Sequence, residues 1–186
     1  IHEQARRMTA IVRQLLDFAR RGAIHRQRVD LHQVAAHCQA LIAATARAKG
    51  VDLQVRGEDG DVAASVDQGQ VEQAMLNLIV NAIHATPAAG RVEILADTVE
   101  ATPPVDHGGP RGRWARLRVS DTGSGMDEAT RARIFEPFFT TKSVGEGTGL
   151  GLSVTYGIVR DAGGWIEVES QVGAGSVFSL MFPLPA

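Results

Sequence analysis

Apolar side chains recur along this chain with two rhythms, one helical and one alternating. From Ile1 to about Arg21 they fall at Ile1, Ala5, Met8, Val12, Leu15 and Ala19, in steps of four and three. That spacing predicts a helix with a heptad seam, which needs a partner helix to cover it. Arg6, Arg7, Arg13, Arg20 and Arg21 read as its solvated face, and Gly22 ends it. A short strand around Gln27 to Val29 follows. A helix then runs from an Asp30 cap through Val34, Ala35, Leu41 and Ile42 to a stop at Gly50. Alternation predicts strands over Val51 to Val55 and Val62 to Val66. Asp67 caps a long helix reaching about Ala85, with Val71, Met75, Leu78, Ile79, Ala82 and Ile83 on one stripe, and Pro87 and Gly90 end it.

Strands at about Arg91 to Thr98 and Ala115 to Ser120 flank a segment from Pro103 to Pro110 that reads as a surface hairpin loop. Asp127 then caps a short helix to about Ile134, a further helix spans about Leu150 to Ala162, and strands Trp165 to Glu169 and Val177 to Phe182 close around Gly173-Ala174-Gly175. Most neighbouring strands are expected to be joined by hairpins rather than crossovers. The predicted class is α+β: a two-layer α/β sandwich, its mixed and mostly antiparallel sheet carrying helices on one face, preceded by one long helix.

Composition narrows this picture. With 186 residues, 44% apolar side chains and a formal charge of -2, the chain can bury a full core, and it has no basic footprint for nucleic acid. The single cysteine, Cys38, cannot form an internal disulfide and fits a small apolar helix position in a reducing compartment. No apolar run approaches the roughly 20 residues of a membrane helix, so no membrane contact is expected of this stretch.

Candidate chemistry begins at Asp121. By the alternation of Leu117 and Val119 it faces the core, where an unpaired carboxylate would cost several kcal/mol, so something must satisfy it. Asp121-Thr122-Gly123-Ser124-Gly125 reads either as an ordinary turn, with Thr122 as the partner, or as a pocket in which Gly123 and Gly125 leave room for a flat ligand whose amine meets the carboxylate. Gln70, Gln73, Asn77, Asn81 and His84 line one polar stripe of the long helix. That stripe is either a solvated face or a site. Asparagine is a poor helix former, and its amide oxygen is a hard neutral ligand suited to Mg²⁺. Gly147-Thr148-Gly149-Leu150-Gly151 runs into a helix and reads as a phosphate cradle or as a flexible glycine loop. It has neither the Lys-Ser/Thr ending of a P-loop nor the preceding apolar strand of a dinucleotide turn. Lys142, beside Thr140 and Thr141, could fold over phosphates or simply be solvated. His32 and His37 lie on different helix faces, and no histidines pair at zinc-ligand spacing.

In order, Asn77-Leu-Ile-Val-Asn81, Asp121-Thr-Gly-Ser-Gly125, Phe135-Glu-Pro-Phe-Phe139, Gly147-Thr-Gly-Leu-Gly151 and Gly173-Ala-Gly-Ser176 closely resemble the N, G1, F, G2 and G3 boxes of the ATP-binding catalytic domain of two-component sensor histidine kinases. The resemblance implies the ATP-binding sandwich fold shared with gyrase, the ninety-kilodalton heat-shock chaperone and mismatch-repair ATPases. It implies ATP and Mg²⁺ as cofactors and transfer of the γ-phosphoryl group to a histidine. Residue by residue, it makes Asn81 the metal ligand with Asn77 beside it, and Asp121 the acceptor of the adenine amine, with Gly123 and Gly125 shaping the pocket. Gly147, Thr148, Gly149, Leu150 and Gly151 would contact phosphates. Lys142 would lie in an ATP lid at about residues 138–149, His84 falls where relatives often place a basic or polar residue and is expected among the nucleotide-binding residues, and Ser176 would support the adenine through water.

Residues 1–22 resemble the second helix of the family's dimerisation and phosphotransfer hairpin, leaving 23–186 as the catalytic domain. His2-Glu3 imitates the acceptor motif, but Arg7 stands where its proline would be, so the acceptor histidine is expected outside this chain. The implied partners are a second copy through that hairpin, the acceptor domain and a response-regulator receiver domain. The implied location is cytoplasmic. The related clamp ATPases carry Glu where Asn77 stands, and an amide cannot serve as their base.

Overall fold

A computed structural model describes residues 25–57, 62–142 and 147–185, and the seam helix and His2 lie outside the described residues. Its elements are β1 (Gln27–Asp30), α1 (Leu31–Lys49), β2 (Asp52–Gly57), β3 (Ala63–Val66), α2 (Gln68–Ala85), β4 (Arg91–Ala101), β5 (Gly112–Asp121), α3 (Glu128–Arg131), α4 (Gly151–Asp161), β6 (Trp165–Gln171) and β7 (Gly175–Pro183).

Helix ends form where the sequence supplies partners for the orphan backbone groups. The Asp30 carboxylate accepts from the His32 N–H, Asp67 from Gln70 and Asp127 from Thr130. Gly50 takes the left-handed conformation at the end of α1, with φ 70°. One helix position departs from the pattern: Leu41 is 57% exposed rather than part of the apolar stripe.

Five strands form one sheet in the order β2-β4-β5-β7-β6, with β2 parallel to β4 and the rest antiparallel. β1 and β3 pair separately as a small antiparallel sheet. Among the described strands only β4–β5 and β6–β7 are consecutive pairs hydrogen-bonded to one another, so the expectation that most links are hairpins does not hold. The longer connections carry α1, α2 and α4 across the sheet.

One sheet face takes Val92, Ile94, Ala96, Ala115, Leu117, Val119, Leu180 and Phe182, packed with Val71, Met75, Leu78, Ile79 and Ile83 of α2 in a single core. Burying each of the larger side chains stabilises by about 1.5–3 kcal/mol. The other sheet face keeps half-buried polar groups such as Arg116, whose Nε lies 2.8 Å from an Asp97 oxygen. The Pro103 to Pro110 segment is also tied down. His107 sits edge-on to Trp114 and Trp165, with centroids at 5.7 and 5.2 Å, and its Nε2 lies 3.0 Å from the Gly163 carbonyl oxygen.

Candidate functional site

Asp121 ends β5 with its side chain on the core face, 9% exposed. Its Oδ1 accepts the Gly123 N–H at 2.8 Å. Thr122 is not the partner: its hydroxyl accepts the Arg91 N–H at 2.9 Å. Burial pushes the Asp121 carboxyl above its ordinary value of 3.8, and backbone N–H groups of Gly123 and Ser176 pull partly the other way. The group is therefore desolvated and incompletely compensated, which suits it to a ligand's donor.

The two glycines of this turn serve the backbone first. A Cβ on Gly123 would stand 2.6 Å from the Ala85 carbonyl oxygen, and one on Gly125 would overlap the Gln171 carbonyl oxygen. Gly125 has φ 63°, open to glycine and strained for other residues. The Ser124 N–H bonds the Ala85 oxygen at 3.2 Å, and the Gly173 N–H bonds the Ser124 oxygen at 2.7 Å. The turn is thus clamped between the end of α2 and the β6–β7 turn. Lys49 of α1 fastens that end of α2, its Nζ lying 2.7 Å from the Ile83 oxygen and 2.6 Å from the His84 oxygen.

Asp121 opens into a cavity of about 470 Å³. Asn77, Asn81 and His84 of α2 line one wall; Gly125, Met126 and Ser176 lie with Asp121, and Ile134 and Phe178 add apolar surface. A flat, largely apolar group with an amine at one edge matches that combination. Ser176 is buried, its hydroxyl 3.0 Å from that of Ser170, which also accepts the Met126 N–H at 2.8 Å. Ser170 is the site's supporting residue that the sequence did not signal.

The glycine-rich segment closes the cavity. The Phe138 N–H donates to the Gly149 oxygen at 3.0 Å, pinning the base of the loop where both residues have positive φ, 69° and 68°. Gly147, Thr148, Gly149 and Gly151 line the cavity, with Thr140, Thr141 and Lys142. The start of α4 has no side-chain cap, so its first N–H groups are open to an anion. Asn77 Nδ2 bonds the Gly151 carbonyl at 3.1 Å and joins α2 to this helix start. Lys142 Nζ lies 3.3 Å from Asn81 Oδ1 and 3.2 Å from His84 Nδ1.

Of the residues singled out in sequence, Asn77, Asn81, His84, Asp121, Gly125, Lys142, Gly147, Thr148, Gly149, Gly151 and Ser176 converge on this cavity. Gly123 and Leu150 do not line it. Gly123 packs on Ala85, and the Leu150 side chain is buried.

Comparisons with known proteins bear on the family and the fold. The family model described as "Histidine kinase-, DNA gyrase B-, and HSP90-like ATPase" matches residues 66–186. Sensor kinase CckA of Brucella abortus (strain 2308) is 38% identical over 188 residues, covering 98% of this chain and 20% of the relative. Sensor histidine kinase ZraS of Escherichia coli (strain K12) is 32% identical over 182 residues, covering 98% of this chain and 36% of the relative. The chain therefore spans a fifth to about a third of these curated relatives. Among solved structures, the catalytic domain of histidine kinase ThkA superposes with TM-score 0.70 at 28% identity, covering 86% of this chain and 95% of that one. Full-length ShkA in complex with AMPPNP superposes with TM-score 0.75 at 28% identity, covering 96% of this chain and 37% of that one.

Proposed function

Because the chain belongs to the histidine kinase-, DNA gyrase B- and HSP90-like ATPase family, we propose that it is the ATP-binding catalytic part of a sensor histidine kinase. In this reading it presents the γ-phosphoryl group of ATP to a histidine on a dimerisation hairpin, for onward transfer to a response regulator. In this reading a second copy of the chain is a partner through that hairpin.

One observation carries the reading: a buried, undercompensated carboxylate and two α2 amides share one 470 Å³ cavity that ends at an uncapped helix start. Asp121 takes the purine's exocyclic amine, and Met126, Ile134 and Phe178 flank its ring. Ser176, held by Ser170, supports the ring edge. Gly149 and Gly151 let phosphate oxygens approach the first N–H groups of α4.

The residues fit a divalent cation. Asn77 and Asn81 offer amide oxygens one helical turn apart, and the Asn81 oxygen already faces a positive charge, the Lys142 ammonium at 3.3 Å. Bound there, Mg²⁺ would neutralise charge on the phosphates. The chain's own part is positioning and charge: it fixes the purine at Asp121, aligns the phosphates along α4 and brings Lys142 to them. Asn77, whose Nδ2 is engaged by Gly151, has no basic atom to activate water, which favours transfer to an acceptor over hydrolysis.

The test is incubation with γ-labelled ATP, alone and with a separately produced acceptor hairpin. Acid-labile label on the hairpin only is the expected result. Steady release of phosphate without an acceptor would overturn the kinase reading in favour of an ATPase.

A further inference from the structure

Lys142 lines the cavity beside Asn81 and His84, and the role inferred for it rests on the nucleotide reading of the cavity. Its backbone N–H bonds Thr140 Oγ1 at 3.2 Å, and its side chain lies along Gly147, where an added Cβ would meet Lys142 Cδ at 3.3 Å. The glycine thus leaves a track for the lysine stem, which delivers Nζ to Asn81 Oδ1 at 3.3 Å and His84 Nδ1 at 3.2 Å. An ammonium has three N–H donors and no lone pair, so both contacts consume an acceptor. Nδ1 of His84 therefore presents its lone pair in this geometry. The Asn81 amide oxygen is also the atom through which an asparagine holds a hard metal ion.

We propose that the Lys142 ammonium, steadied by His84, is the nucleotide-free chain's own cation at the Asn81 oxygen, and that it and the divalent ion are alternative occupants of that oxygen. An ammonium and a dication on one amide oxygen would stand within a few ångströms of each other, and their like charges repel at such distances. The free ion is therefore kept off the empty site. Phosphate oxygens reverse the preference, since they supply the ion with further ligands and accept charge-assisted hydrogen bonds from the ammonium at its new place. Lys142 is on this view a positioning residue that couples metal entry to nucleotide entry.

The probe is Mn²⁺, titrated without nucleotide into the full chain and followed by loss of the free-ion electron paramagnetic resonance signal. Lys142→Met is expected to bind Mn²⁺ about tenfold more tightly than the unsubstituted chain, and Lys142→Arg, which keeps the charge, to bind no better than it. Adding Asn81→Ala to Lys142→Met is expected to remove the gain. Equal affinity in the unsubstituted and Met chains, or a gain that survives loss of Asn81, would overturn the proposal. Circular dichroism of each variant checks that the fold is kept. A fluorescent ATP analogue titrated into the unsubstituted chain tests the parent reading separately: absence of binding there sinks the nucleotide assignment, whatever Mn²⁺ does.

Discussion

Replacing Asp121 by Asn changes an acceptor into a group that is half donor, with almost no change in volume. Asp121 is 9% exposed, so the lost interaction is not replaced by water. A hydrogen bond to a charged group contributes about 1.5–3 kcal/mol, and setting the new amide N–H against the purine's amine costs about 1–3 kcal/mol more. Taking the lower part of both ranges gives about 3 kcal/mol, or about a hundredfold in Kd for ATP. The Gly123 N–H can still be accepted by the Asn oxygen, so the turn should persist. Calorimetry with ATP and with inosine triphosphate separates chemistry from distortion, because inosine carries a carbonyl where adenosine carries the amine. The carboxylate disfavours that carbonyl, whereas an Asn amide can donate to it, so the variant should lose ATP affinity without losing inosine nucleotide. Equal weakening of both nucleotides, or an unchanged Kd for ATP, would refute the assignment of Asp121.

Four further outcomes are expected. Asn81→Ala should weaken ATP binding in Mg²⁺ by about tenfold and hardly at all in chelator; calorimetry in the two buffers decides, and equal loss in both would make its role structural. Gly125→Val should lower stability by about 3 kcal/mol or more in urea unfolding, since a left-handed φ and overlap with the Gln171 carbonyl add together. Lys49→Met should cost about 0.5–1.5 kcal/mol by removing its bonds to the Ile83 and His84 carbonyls, and a urea midpoint equal to that of the parent would show the clamp to be idle. Because the Asp121 carboxyl is raised above 3.8 by burial, the empty chain favours its acid form: that stability is present below 3.8 and lost as pH rises through the raised value. The purine needs the carboxylate, so fluorescent-nucleotide affinity should fall as pH drops from about 7 toward the carboxylate range, and Asp121→Asn should flatten that fall.

The inward turn of Asp121 could be read from the alternation of Leu117 and Val119, and the caps at Asp30, Asp67 and Asp127 from single residues, because each depends on neighbours in the chain. The parallel pairing of β2 with β4 and the separate β1–β3 sheet could not, since they depend on where the α1 and α2 crossovers lay the strands. Gly123 and Gly125 were legible as special positions, but their reason was not: the atoms that exclude a Cβ, on Ala85 and Gln171, lie 38 and 46 residues away in sequence respectively. Leu150 sits in a glycine run that suggests ligand contact, yet its side chain is drawn into the core. Ile134 and Phe178 come to the cavity, and Ser170 to Ser176 beside it, from separate parts of the chain with no shared spacing. His107 looks like a loop residue until two tryptophans far apart in the chain meet around it.

Crystals grown with adenylyl imidodiphosphate and Mg²⁺ would show whether the cavity between α2, the Asp121 turn and the start of α4 holds a purine nucleotide with its metal. The exocyclic amine is expected at the Asp121 carboxylate, the phosphates at Gly149 and Gly151, and the ion on Asn81 with Lys142 moved off it. A cavity left empty, or a nucleotide bound elsewhere with Lys142 still on Asn81, would contradict the nucleotide reading.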